Sequence, residues 1–206
     1  MSRFPGLTAV SVTVVLCVLF VDRPLALWVN ERVHGSTAFV VGATILRPLN
    51  GLGTAGAVLL GLALVWRRRF VALPWMNRSV VAGICAVVAL AGALVLKLAI
   101  GRSQLYPLFL LNHIYEVRPF AGSENFTAFP SATMAGLSAF VAGVGGTRGF
   151  QRAASAAILV IVAVALVVTS SHWLSDIIGG TYLGVAGGAE VAMRLRRRWP
   201  LNGTVR

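Results

Sequence analysis

The chain consists of long apolar stretches separated by short polar segments. Six apolar stretches cover residues 7–21, 51–66, 79–100, 132–146, 153–168 and 177–193. A helix needs about 20 residues to cross the hydrocarbon core of a bilayer, so the shorter stretches are expected to extend into their flanks. The pattern predicts an all-α fold in which six transmembrane helices form one bundle. A less apolar stretch, residues 36–49, is interrupted by Arg47 and Pro48 and is predicted to be an interfacial or lead-in helix.

The composition places the protein in a membrane. Hydrophobic residues make up 57% of the chain, and the mean hydropathy is +0.83, which is too apolar for a soluble domain. The 206 residues suffice for one compact bundle, so we expect a single integral-membrane domain over residues 1–206. Asp22, Arg23 and Pro24 follow the first stretch, where a signal peptide would have a small-residue cleavage site, so this stretch is expected to be a retained span.

The arginines predict how the bundle is oriented. The side that carries both termini holds twelve of the 18 basic residues, and the opposite side holds six, together with five of the six acidic residues. This asymmetry predicts a multi-pass plasma-membrane protein with both termini in the cytoplasm and three loops facing outward, into the periplasm where there is one. Because the basic residues lie at the ends of apolar stretches, the net charge of +12 does not call for a nucleic acid partner. Membrane lipids are the expected partners.

Neither a metal nor a cofactor is expected. Cys17 and Cys85 lie inside apolar stretches, and no metal-ligand spacing surrounds them. The His, Asp and Glu residues also lack the spacing of a ligand cluster.

The last apolar stretch carries small residues at regular spacing. Gly180, Gly184 and Gly188 follow one another every four residues. In lipid, such a pattern allows helix backbones to approach closely. It predicts a helix packed inside the bundle, with a homodimer or another membrane protein as the alternative partner of this surface.

Three polar clusters fall on the outward side of the predicted bundle. They supply a cation at the end of the third span, a polar helix start at the fourth, and an imidazole before the sixth: Lys97 and Arg102, Ser131 and Thr133, and His172 and Asp176. A helix N-terminus binds anions through its free N–H groups. An Asp that orients one ring nitrogen of a His leaves the other nitrogen available as a nucleophile or base.

Each cluster also has an ordinary structural explanation. Lys97 can extend to the membrane interface, and Arg102 can anchor the helix there. Ser131 behind a proline can be a simple N-cap. His172 and Asp176, predicted to share a helix face, can be an interfacial polar pair. The binding-site hypothesis depends on the convergence of all three clusters at one membrane face.

The connection between the third and fourth spans predicts a lid over this site. Residues 103–131 form a loop of unusual length, and loops of this length are usually functional. The loop contains six aromatic residues among charged ones: Tyr106, Phe109, Tyr115, Phe120, Phe126 and Phe129, with His113, Glu116 and Arg118. At the level of the lipid headgroups, this loop is expected to contact a lipid substrate.

The clusters resemble the motifs of the type 2 phosphatidic acid phosphatases, a family related in fold to vanadium haloperoxidases. That family has three motifs. The first is a Lys separated by six residues from Arg-Pro, and the second is Pro-Ser-Gly-His. The third is Ser-Arg, five residues, His, three residues and Asp. Order, spacing and the six-helix frame are similar over roughly residues 45–195. The resemblance implies that His172 is the nucleophile, that Asp176 orients it, and that Lys97 and Ser131 bind phosphate without a metal.

The chain departs from the family at three positions. Gln104-Leu105 replaces Arg-Pro, Ala132-Thr133 replaces Gly-His, and Ala165-Leu166 replaces Ser-Arg. The loss of one charge-stabilising donor costs about 10²–10³ in rate, and the loss of a general acid about 10²–10⁴. Little phosphatase activity is therefore expected unless other residues take over these roles.

Nearby residues offer partial replacements for the missing groups. Arg102 and Arg118 are candidate phosphate ligands, Thr133 occupies the place of the general acid, and His113 is a candidate proton donor. Three functions follow from this: a catalytically degenerate protein, or pseudoenzyme, that binds a lipid or isoprenoid phosphate; an active phosphatase on undecaprenyl diphosphate or phosphatidic acid, through a phosphohistidine; and a structural subunit of a membrane complex.

Overall fold

The computed structural model describes residues 6–48, 74–145 and 149–198, and most residues of these ranges are helical. The main helices are α1 (Leu7–Arg32), α2 (Thr37–Pro48), α3 (Pro74–Ile100), α4 (Ala132–Val144), α5 (Gly149–Val168) and α6 (Leu174–Arg198). The described ranges contain no β-strand, which confirms the all-α prediction for them. The lead-in helix predicted at 36–49 is α2. The predicted span at 51–66 lies outside the described residues.

Among the described residues, three helices are long and apolar enough to cross a membrane. They are α1, the Arg78–Ile100 part of α3, and α5. Helix α4 has 13 residues and is therefore about 20 Å long, shorter than the hydrocarbon core. Helix α6 has 25 residues, but its second half carries Glu190 and several arginines.

The centre of the fold is the packing of α3, α4 and α6. Their contact is built from small side chains, with Cys85 and Ala93 of α3 against Ala135 and Ala139 of α4. Such residues permit close backbone approach, which is the main source of helix association in lipid. A second apolar cluster joins α4 and α6 to α2 and α5.

Gly184 and Gly188 of α6 lie against α4 of the same chain. A Cβ added at Gly188 would lie 2.8 Å from the Cα of Ala139, and one added at Gly184 would overlap the carbonyl of Ala135. The contact shows that this small-residue surface packs within the bundle, as its spacing predicts.

The connection between α3 and α4 is folded and is held by backbone hydrogen bonds. Ser103 N donates to Glu116 O at 2.9 Å, Arg118 N donates to Gly101 O at 2.7 Å, and Ala128 N donates to Arg102 O at 3.1 Å. Gly101 has a φ of +62°, and a side chain there would collide with the Arg118 carbonyl, so the turn requires glycine. The loop therefore lies across the end of the bundle where α3 ends and α4 and α6 begin, here called the polar end.

The aromatic residues of this loop divide between the core and the surface. Phe109 and Phe126 are buried, and Phe109 packs against Trp173 with its ring centroid at 5.0 Å. In contrast, Tyr106 and Phe120 are 56% and 79% exposed. Tyr106 and Phe120 are therefore the loop aromatics that the lid hypothesis would place against lipid.

Candidate functional site

Arg102 is the centre of the polar end. Its side chain is only 4% exposed, although it follows directly on α3. One terminal nitrogen, Nη1, donates to Ser175 Oγ at 2.5 Å and to Asp176 Oδ1 at 2.7 Å. The other, Nη2, donates to Asp22 Oδ2 at 2.7 Å and to Tyr115 Oη at 3.1 Å. All four Nη hydrogens are thus bound by protein groups, and the guanidinium lies between two carboxylates.

Asp22 is a member of this cluster that the sequence motifs did not indicate. It lies in α1, is 2% exposed, and its carboxylate accepts from Ser175 Oγ at 2.5 Å and from Ser175 N at 3.1 Å. The sequence feature that could have indicated Asp22 is its position at the end of an apolar stretch, because a charge there is costly unless it is paired. Its partner is 80 residues away in the chain.

The Asp176 carboxylate contacts three neighbouring residues. Besides Arg102, its carboxylate accepts from Trp173 N at 3.2 Å, so it caps the first turn of α6 in the manner of a capping box. The same oxygen, Oδ2, lies 3.5 Å from His172 Nδ1, at the long limit of a hydrogen bond. His172 precedes α6 and is not on a helix, so the predicted sharing of one helix face is wrong. The pair meets because the chain turns just before Leu174.

His172 is partly accessible and has an apolar neighbourhood. Its side chain is 17% exposed, and a small cavity beside it is lined mainly by Leu25 and Val29 of α1, by Leu105 and by Val167. This cavity places the imidazole between α1 and the end of α5.

Lys97 lies in the last turn of α3 and is bound to the chain that leads into α4. Its ammonium donates to the carbonyl oxygens of Thr127 and Ala128. The Asp176 carboxylate attracts it electrostatically. Lys97 therefore places a positive charge at the same end of the bundle as Arg102 and the two carboxylates around it.

Ser131 and Thr133 begin α4 beside α6. Ser131 is fully buried, its Oγ accepts from Met134 N at 3.4 Å as an N-cap, and its own N–H donates to Asp176 O at 3.0 Å. Thr133 is partly buried in the first turn. Ser131 is thus tied to α6 by the backbone of the residue whose carboxylate holds Arg102.

Arg118 and His113 are located away from this cluster. Arg118 is exposed, pairs with Glu116 at 2.6 Å, and lies over the ring of Phe126 at 4.9 Å. His113 is exposed at the end of a short helical turn. Compared with Arg118 and His113, Arg102 is the candidate that contacts the predicted nucleophile pair, through Asp176.

The electrostatics of the cluster favour the ionised form of Arg102. Burial lowers the pKa of its guanidinium, but the carboxylates of Asp176 and Asp22 outweigh this effect, so the pKa of Arg102 is raised. For the Tyr115 phenol, whose charged form is an anion, burial raises the pKa. The phenol therefore stays protonated at neutral pH and donates to the Val18 carbonyl at 2.8 Å.

Comparisons with known protein families, with curated proteins and with solved structures found no match. The resemblance to type 2 phosphatidic acid phosphatases therefore depends on the motif residues named above. Among the described residues, no group of three or more His, Cys, Asp and Glu side chains is placed to hold a metal ion.

Proposed function

We propose that this chain is a six-span membrane protein of the type 2 phosphatidic acid phosphatase kind that binds a lipid or isoprenoid phosphate at its polar end. Both termini are cytoplasmic in this proposal, and the polar end faces outward. The observation that supports it is that Asp176 contacts both Ser131 and His172, while the Lys97 ammonium binds the chain just before Ser131, at Thr127 and Ala128. A cation, a helix start and an imidazole at one point are suited to a phosphate group.

The same geometry argues for slow turnover. Efficient phosphoryl transfer needs free donors for the charge that develops on the phosphate oxygens, yet Arg102 already binds two carboxylates. His172 and Asp176 are 3.5 Å apart, which orients the imidazole weakly. With Gln104 and Thr133 at two motif positions, the site binds better than it catalyses, and the protein acts as a binding or accessory protein.

A structural role in a membrane complex is the second candidate. It is favoured by the buried ion cluster, which joins α1, the α3–α4 loop and α6 through Arg102 and Ser175. Clusters of this kind fix how helices are arranged, and this arrangement is useful without any ligand.

Lipid binding and phosphate release by the purified protein separate these functions. We expect the wild-type chain to bind phosphatidic acid or an isoprenoid phosphate and to release little inorganic phosphate. Lys97→Ala should weaken binding by about 10–100-fold, since a hydrogen bond to a charged group is lost. The matched control is Arg194→Ala, which removes an exposed cation paired with Glu190 in the second half of α6.

The other outcomes favour the alternatives. Rapid phosphate release that disappears in His172→Ala would show an active phosphatase. Absence of lipid-phosphate binding, together with stoichiometric co-purifying membrane proteins, would favour the structural subunit.

A further inference from the structure

Asp22 uses its whole carboxylate to bind groups outside its own helix. Oδ2 accepts from Arg102 Nη2 at 2.7 Å and from Ser175 Oγ at 2.5 Å, and Oδ1 accepts from Ser175 N at 3.1 Å. The three donors around this carboxylate, one of them a guanidinium, are of the kind that proteins use to bind a free anion.

The groups that donate hydrogen bonds to the Asp22 carboxylate together form an oxyanion site. Arg102 supplies a positive charge, and Ser175 supplies an O–H and a backbone N–H in the first turn of α6, where the helix dipole favours an anion. Arg102 is 4% exposed and Ser175 is fully buried, so both donors are fixed in place. Two acceptor oxygens on one centre, as in a carboxylate or a phosphate, match this set of donors.

The helix that carries Asp22 is irregular just before it. A wide, π-helical turn spans Cys17–Val21, and Asp22 N donates to Cys17 O instead of Val18 O. The Val18 carbonyl is thereby freed and accepts from Tyr115 Oη at 2.8 Å, and the same phenol contacts Arg102. Single wide turns of this kind recur at functional sites, where they change the direction of side chains.

We propose that Asp22 is a tethered ligand: its carboxylate occupies an oxyanion site formed by Arg102 and Ser175, and an external anion binds there only when Asp22 is displaced or removed. Helix α1 thereby controls access to Arg102. The inference shares Arg102 with the proposed function, but it holds whether or not a lipid phosphate is the ligand of the neighbouring site.

Replacing the tethered carboxylate by a free one tests this directly. Asp22→Ala and the wild-type chain are purified in detergent, and the unfolding temperature is followed with sodium formate or inorganic phosphate replacing chloride at constant ionic strength. We expect Asp22→Ala to unfold at a lower temperature and to regain about 3–6 °C, in a saturable manner, when the anion reaches tenfold its Kd. The wild-type chain should show no saturable rise.

Two further measurements complete the test. Asp22→Asn fills the same space with a neutral amide, so its unfolding temperature should not respond to formate. Together with the wild type, this variant also corrects for the general stabilising effect of phosphate on folded proteins. Micelles that contain phosphatidic acid, compared with free phosphate, show whether a lipid headgroup or the free ion binds more strongly.

The result that overturns the proposal is equally concrete. If no anion stabilises Asp22→Ala more than it stabilises the wild type, the oxyanion site does not exist. If Asp22→Ala cannot be recovered in chloride, purification is repeated in formate throughout. Recovery in formate alone supports the tethered ligand, and failure in both solutions overturns it. Lipid-phosphate binding by the wild type is scored separately, so the proposed function stands or falls independently.

Discussion

At the scale of single residues, the polar end depends on how one guanidinium is shared. Arg102 lies between the carboxylates of Asp22 and Asp176, both fully buried in their side chains. The desolvation of three charges is costly, and the attraction between them offsets this cost only while all partners are present. Removal of one partner should therefore lower the free energy of unfolding by much more than the whole cluster contributes to it.

Arg102→Met should lower the free energy of unfolding by about 3–5 kcal/mol, because it leaves two buried carboxylates without a cation. Combination with Asp22→Asn should recover part of this loss. The matched control is Arg118→Met, which breaks an exposed pair with Glu116 and should cost at most about 1 kcal/mol. Unfolding of the purified variants in detergent measures all three. Equal losses for Arg102→Met and Arg118→Met would contradict a buried cluster.

At the scale of helices, the contact of α4 with α6 positions the site. Ser131 at the start of α4 donates its N–H to the Asp176 carbonyl in α6, so the two helix starts that meet at the polar end are joined directly. Further along, the glycines of α6 bring the two backbones together. The distance between α4 and α6 therefore sets how Ser131 and Asp176 face one another.

Two neighbouring glycines of α6 test this contact. Gly188→Ala places a Cβ 2.8 Å from the Cα of Ala139, whereas a Cβ at Gly187 meets nothing within 4 Å. We expect Gly188→Ala to lower the free energy of unfolding by about 1–3 kcal/mol through overpacking. Gly187→Ala should be neutral or slightly stabilising, since alanine favours the helix. The unfolding temperatures in detergent decide this, and the same value for both variants would rule out the close approach.

At the scale of the whole molecule, the proposed orientation gives the polar end its access to ligands. The exposed loop residues lie at this end, where the N–H of Phe120 donates to the Leu98 carbonyl of α3. The arginines in the last turns of α6 lie beyond the small-residue contact with α4. In the proposed orientation, a lipid headgroup of the outer leaflet is on the same side of the membrane as the aromatic loop and His172.

Single cysteines should report this orientation in intact cells. Phe120→Cys lies at a 79% exposed position of the loop, and Arg194→Cys at a 66% exposed position of α6. In a background without Cys17 and Cys85, an impermeant maleimide should label the first variant directly and the second only after permeabilisation. The reverse pattern would place the polar end in the cytoplasm.

Part of the fold and part of the site are local properties of the sequence. The helices follow from the position and length of the apolar stretches, and α2, α3 and α5 lie where those stretches predict them. The convergence of Lys97, Ser131 and Asp176 is predicted because helix ends of a multi-span bundle alternate between the two faces of a membrane, so alternate loops meet. Such reasoning locates side chains at a face, but it does not say which atoms meet.

The tertiary structure alone decided the partners of the charges. Nothing near Asp22 in the sequence indicates Arg102, because the two are 80 residues apart and are brought together by the wide turn in α1 and the folded loop after α3. The same packing determined that the Ser131 N–H donates to the Asp176 carbonyl and that Lys97 binds backbone carbonyls. Helical periodicity is a short-range property that the order of side chains encodes, whereas the pairing of buried charges depends on which helices pack together.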